Sequence, residues 1–181
     1  MENYSTTLAL LNLFLPLASF LILIFFGKKI GSSAHWLALP LIGAMLCASV
    51  SFFSKIFINI EEPILEISVR WFSTGQFSVN LGFLINNEAA IMLFVVSLIS
   101  FLVHLYSVGY MEGDARYSRY FAYLGIFTFS MNGIVLADSL IMMYIFWELV
   151  GLSSYLLIGF WFEKNSAADA CKKAFLTNRV G

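Results

Sequence analysis

The chain reads as a series of long apolar runs separated by short polar breaks. Leu8 to Phe26 carries no charge and is close to the roughly 20 residues that a spanning helix requires. Pro16 lies inside it, which kinks such a helix without forbidding it in a membrane. After Lys28, Lys29 and a Gly-Ser turn, a second run extends from His35 to Phe53 and is closed by Lys55. Ala89 to Tyr106, Tyr120 to Leu136 and Leu140 to Phe162 give a third, fourth and fifth span. Asp138 is positioned to cap the fifth through its carboxylate, and Ser166 to cap a sixth helix that starts near Ala167 and is still running at Gly181. That last helix reads as an element of a longer protein.

Between the second and third spans the pattern changes period. Glu66, Ser68 and Arg70 alternate with Leu65, Ile67, Val69 and Trp71, and beyond Ser73-Thr74-Gly75 the residues Phe77, Val79, Leu81 and Phe83 alternate again. Two period-2 runs around a Gly-containing turn predict a β-hairpin. It belongs at a membrane surface, because an open sheet edge cannot face lipid. The expected fold class is therefore an all-α polytopic membrane protein. It has five complete transmembrane helices, the start of a sixth, and a β-hairpin on the non-cytoplasmic surface. Three segments follow: two helices in 1–58, an extramembrane hairpin in 59–86, and further helices in 87–181.

Composition strengthens this picture. Of 181 residues, 60% are hydrophobic and 12% charged, against about 25% charged in ordinary soluble domains; mean hydropathy is +0.86. Lys and Arg set the orientation. Lys28, Lys29, Arg116, Arg119 and Lys164 fall after spans one, three and five, whereas the loops after spans two and four hold only Lys55 and Arg70. The first set is cytoplasmic, or on the matrix side of an organelle, and the N-terminus and hairpin face the other way. The first apolar run is a permanent helix and not a cleaved signal, since no Lys or Arg precedes it. There is no basic patch with interleaved aromatics for nucleic acid, no Gly-rich nucleotide loop, no paired carboxylates of the kind that line a catalytic cleft and no metal-ligand spacing. Cys47 and Cys171 are isolated and read as small apolar fillers.

Glu148 stands out against this background. It is a carboxylate near the middle of the fifth span. A charged residue at that depth costs about 2.5 kcal/mol or more and by default marks an ion or proton pathway. Leu152, Tyr155 and Gly159 share its face at helical spacing. A carboxyl held between desolvation, which favours its neutral form, and a cation, which favours its charged form, can load and release a proton. The competing reading is a permanently neutral Glu148 that only bonds a neighbouring helix.

Polar stripes occur on two further spans. Ser97, Ser100, His104 and Ser107 line one face of the third, and Gly125, Thr128 and Asn132 one face of the fourth. His104 is suited to proton shuttling; alternatively the serines permit close helix packing and His104 bonds a backbone carbonyl. With Glu148 on the fifth span, the stripes are expected to face one another around water. In the sixth helix Lys172 and Lys173 can snorkel to the interface, while Arg179 lies deeper and is a candidate partner for an acid. The supporting polar path thus comprises His104, Tyr155, Lys173 and Arg179.

The stretch Tyr144-Ile145-Phe146-Trp147-Glu148-Leu149-Val150-Gly151-Leu152-Ser153-Ser154-Tyr155 through Trp161 resembles the fifth-helix signature of the antiporter-like subunits of respiratory complex I, and is most similar to the subunit L family of NADH:quinone oxidoreductase. Leu102-Val103-His104-Leu105-Tyr106-Ser107, Gly109-Tyr110-Met111, Tyr117-Ser118-Arg119-Tyr120-Phe121-Ala122-Tyr123, Val135-Leu136-Ala137-Asp138, and Lys173-Ala174-Phe175 with Asn178-Arg179-Val180-Gly181 match in the same order. The resemblance runs from about Trp71 to Gly181; the first two spans match only in layout. It implies inverted five-helix repeats with broken helices. Glu148 would be the family's fifth-helix glutamate, paired with a lysine on a later helix. It also implies proton translocation driven by quinone reduction elsewhere in the complex. NADH, flavin, iron–sulfur clusters and quinone would reside in partner subunits, with none in this chain. Other membrane subunits, especially neighbouring antiporter-like ones, and the lipid bilayer would be its partners. The location would be an energy-coupling membrane, the inner membrane of a bacterial cell. Where the family often has Asp-x-Leu-Ser entering the third span, this chain has Asn86-Asn87-Glu88-Ala89. Two other classes fit the residues: the large subunit of a multisubunit sodium/proton antiporter, and a structural subunit whose stripes only pack helices.

Overall fold

A computed structural model describes residues 2–58, 65–74 and 77–180. Helix α1 spans Glu2–Ile30 and α2 His35–Ile58. A 3-10 turn, Gly31–Ala34, joins them, opened by Gly31 at φ +58°, a conformation that residues with a Cβ rarely adopt. Strands β1 (Leu65–Thr74) and β2 (Phe77–Ile85) pair antiparallel as the alternation predicts. Glu61, Glu62, Pro63 and the turn residue Gly75 lie outside the described residues. The register shifts between Arg70 and Phe72, so Trp71 is the extra residue of a bulge.

Helix α3 (Asn87–Tyr110) follows, then α4 (Tyr117–Leu136), α5 (Leu140–Ile158) and α6 (Asn165–Val180). Asn86 caps α3 by accepting the Ala89 N–H at 2.7 Å, so its place before the apolar run is a helix signal. The expected fifth span to Phe162 ends instead at Gly159, whose N–H returns to the Tyr155 carbonyl. The sixth helix begins at Asn165, which puts Ser166 inside the first turn and not at the cap.

Helices α1 to α4 form a closed bundle in which α1 packs on α2 and α4, and α3 on α2 and α4. Helix α5 leans on α4 from outside this bundle, and α6 leans on α5. Among the described residues three stretches are long and apolar enough to cross a membrane: Ser5–Lys55, which takes in most of α1 and α2, then Asn87–Tyr110 and Leu140–Ile158. Helix α4 is not among them, and its position explains why. It is the central element, and its polar residues Thr128, Ser130 and Asn132 are buried against protein. Gly133 admits α5, since a Cβ there would enter the Phe146 ring. Cys171 is buried against Gly159, but Cys47 is exposed on α2 and fills no interior space.

The two ends of the bundle are tied differently. At one end the α3–α4 loop grips the α5–α6 loop. Asp114 accepts the Trp161 indole N–H at 3.0 Å and the Arg116 backbone N–H at 2.8 Å. Arg116 pairs with Glu163 at 2.9 Å and lies over the Phe160 and Phe162 rings. The Arg116 backbone N–H, the indole and the Arg116 charge hold the Asp114 carboxyl below its ordinary value. At the other end the hairpin docks on the α4–α5 connection. Phe83 bridges Ala137, the Asp138 N–H donates to the Gly82 carbonyl at 3.3 Å, and the Gly82 N–H donates to Asp138 Oδ1 at 3.1 Å. Asp138 therefore does not cap α5. Ser139 does, accepting the Met142 N–H at 3.3 Å, because the Asp138 carboxylate is engaged by the hairpin.

Candidate functional site

The α5–α6 contact is built on a small residue. Gly151 faces α6, and a Cβ there would collide with the Asn178 side chain. Beside this contact Arg179, the residue after Asn178, places its Nη2 3.0 Å from Glu148 Oε2. The Glu148 side chain is 20% exposed and that of Arg179 50%. The Arg179 guanidinium also lies over the Phe175 ring, 4.9 Å from its centroid, and Tyr155 meets the same ring edge-on at 5.6 Å. The site is thus a carboxylate and a guanidinium on one side of an aromatic pair. A guanidinium stays charged under all ordinary conditions, so it can stabilise a carboxylate but cannot itself give up a proton. Among the described residues no group of metal-ligating side chains accompanies the pair.

The residues singled out from the sequence separate into two groups. Glu148, Tyr155 and Arg179 come together on the α5–α6 face. Lys173 lies elsewhere on α6, in a groove with Trp147, Thr177 and Asn178. His104 lies inside the α1–α4 bundle and is fully buried. Its Nδ1–H donates to the Ser100 carbonyl at 2.8 Å, and the Ser100 hydroxyl meets Thr128 Oγ1 at 2.7 Å. The α3 and α4 stripes therefore face each other, but the α5 face does not join them: Glu148 turns to α6. Asn132 likewise turns to α1, where its Nδ2 donates to the Asn12 carbonyl at 2.7 Å. That carbonyl is the one Pro16 leaves without a helical donor, since proline has no N–H for the residue four before it. The signal was readable: a proline in a spanning helix requires a donor from elsewhere.

The arrangement defines a class, a polytopic membrane subunit in which an ion pair joins two outlying helices. The fold is similar to that of a solved chain of the membrane-bound sulfane sulfur reductase, an archaeal respiratory membrane complex, with a TM-score of 0.75. The match covers 93% of this chain and 33% of that one at 17% identity. Residues 71–121 match the family model for the N-terminus of chain 5 of NADH-ubiquinone oxidoreductase (complex I). Residues 137–181 match the transmembrane model for NADH:quinone oxidoreductase and the Mrp antiporter. Together these cover more than half of the chain, which belongs to the complex I subunit 5 family of antiporter-like membrane proteins.

The relatives agree. The chain is 45% identical over 160 residues to the chloroplastic NAD(P)H-quinone oxidoreductase subunit 5 of Anthoceros angustus, covering 88% of this chain and 22% of the relative. It is 50% identical over 113 residues to chain 5 of that oxidoreductase in Synechocystis, with 62% and 17% covered. It is 46% identical over 167 residues to F(420)H(2) dehydrogenase subunit L of Methanosarcina mazei, with 92% and 24% covered. The chain thus spans between 17% and 24% of the length of these curated relatives.

Proposed function

We propose that this chain is part of a proton-translocating membrane subunit of an NAD(P)H:quinone oxidoreductase, and that Glu148 is its intramembrane proton-loading acid. The observation that carries this reading is Glu148, inside the apolar stretch Leu140–Ile158, paired at 3.0 Å with Arg179 of α6, in a chain of the complex I subunit 5 family. A lone carboxylate at that depth is costly, and a cation beside it offsets part of the cost while leaving it able to take a proton. Tyr155 and Phe175 wall the pair on one side. We assign the buried His104 to an interior polar path of the bundle and Lys173 to the α6 surface. Redox groups (NADH, flavin, iron–sulfur clusters and quinone) would lie in partner subunits, and quinone reduction there would drive the proton step. Neighbouring antiporter-like subunits would complete the assembly, in a bacterial inner membrane or, given the cyanobacterial and chloroplast relatives, a photosynthetic or organellar one.

The test is Glu148→Gln in the full-length protein within its complex. Assembly is expected to persist, and proton pumping per turnover to fall by about tenfold or more, the scale of losing a positioned proton carrier. Unchanged pumping would leave only the helix-packing reading. The family model also describes the Mrp antiporter. Purification of the full-length protein with NAD(P)H-oxidising subunits separates the two; recovery with cation-antiporter subunits alone would favour sodium/proton exchange.

A further inference from the structure

A cleft of about 290 Å³ opens between the start of α4, the end of α5 and the start of α6. Its size is near the smaller end of ordinary ligand sites, at about 300 Å³. Three of the side chains that line it are basic, Arg116, Arg119 and Lys172, and among the described residues none is acidic. Leu156 and Phe160 belong to its apolar wall. Arg119 and Lys172 are exposed and Phe160 is buried, so the charge lies outermost and the apolar wall inside. Arg116 is engaged by Glu163 at 2.9 Å. Lys172 meets Asp169 only at 3.7 Å in an exposed pair, which holds it weakly. Arg119 has no ion-pair partner among the described residues.

The depth of the cleft narrows the choice of ligand. Gly159 ends α5, so the cleft opens where the apolar stretch Leu140–Ile158 finishes. Leu156 on α5 and Tyr123 on α4 line it about one turn further in than Gly159 and Arg119. On its other side Arg119 shares a second cleft with Lys28 at the end of α1, so basic residues gather at this end of the helices. A soluble anion would use the charges and leave the apolar wall bare; a neutral lipid would use the wall and leave the charges bare. We propose that the cleft binds an anionic phospholipid. Its phosphate accepts from Arg119, a planar donor suited to phosphate oxygens, and from Lys172. Its acyl chain lies along Leu156 and Tyr123. Basic pockets between membrane helices are suited to such headgroups, and the site is separate from Glu148.

The probe is a pair of photoactivatable lipids, phosphatidylglycerol and phosphatidylcholine, each with the reactive group near the head of one acyl chain. The full-length protein in its complex is reconstituted into phosphatidylcholine vesicles carrying one or the other, and the labelled peptides are mapped. Phosphatidylglycerol is expected to label the segments around Tyr123 and Leu156 several times more than phosphatidylcholine. Arg119→Gln combined with Lys172→Gln should bring that labelling down to the phosphatidylcholine level; Arg116 is left in place because it ties the two loops together. Equal labelling by the two lipids in the unsubstituted protein would overturn the proposal, and that comparison holds even where the double variant does not assemble. Labelling abolished by inorganic phosphate, but not by chloride at the same ionic strength, would make this a site for free phosphate and overturn it too.

Discussion

The α1–α4 bundle and the α5–α6 flank solve the same problem in opposite ways. Both carry polar groups through an apolar span. The bundle buries neutral ones, Asn, Ser, Thr and His, and joins them to one another and to backbone carbonyls across helices. The flank carries a charged pair, Glu148 and Arg179, on a contact that stays 20% and 50% exposed. Neutral groups can be enclosed because a hydrogen bond satisfies them, whereas a charge deep in a closed bundle would need full compensation. The acid proposed to load a proton thus lies at the edge of the fold and not inside the closed bundle.

That contrast can be broken experimentally, beginning with the charged side. Arg179→Gln removes the cation and keeps the volume. Pumping in the full-length protein is expected to drop about tenfold, while thermal stability moves by no more than about 1 kcal/mol, because a half-exposed pair contributes little. A loss of assembly instead would make Arg179 a structural strut. On the helix seam between bundle and flank, Gly133→Leu drives a side chain into Phe146. Detergent-based thermal unfolding should show a loss of about 1–3 kcal/mol or more, the usual cost of overpacking. Asp138→Ala strips the hairpin of its side-chain acceptor for the Gly82 N–H. A loss of about 1–3 kcal/mol is expected, with Asp138→Asn milder because its amide oxygen still accepts; equal losses from both would show that the charge itself matters.

The smallest effect lies at the Arg116 end. The Asp114 carboxyl is held below its ordinary value of 3.8 by the Arg116 backbone N–H, the Trp161 indole and Arg116. A lowered carboxylate stabilises the fold at neutral pH and loses that contribution as pH falls through its folded-state value. Melting temperature should therefore decline on acidification below about pH 3.8, and Asp114→Asn should flatten part of that decline.

How much of this was legible depends on whether the signal was local. Glu148 announced itself by cost alone, and Arg179 by its depth in the sixth helix. The alternation at residues 65–72 and 77–83 predicted the hairpin that forms. What failed was tertiary choice. Asp138 and Ser139 are both good caps in sequence, and only the docking of Gly82 shows that the first is engaged elsewhere. The expectation that three stripes converge was met by two of them: Ser100 and Thr128 meet, but α5 sits outside the bundle and presents Glu148 to α6. Lys173 and Arg179 are both basic residues of one helix, yet six positions apart they do not share a face. Arg179, next to the Asn178 that packs on Gly151, is the one that reaches the acid.

The bond between Asn132 and the Asn12 carbonyl has a consequence for descent as well as for folding. Pro16 creates the need that Asn132 meets, 120 residues apart in sequence. Neither is advantageous alone: without the proline the amide is a costly buried group, and without the amide the proline leaves a bare carbonyl. The two positions should behave as a single inherited unit, gained and lost together among the chain's relatives.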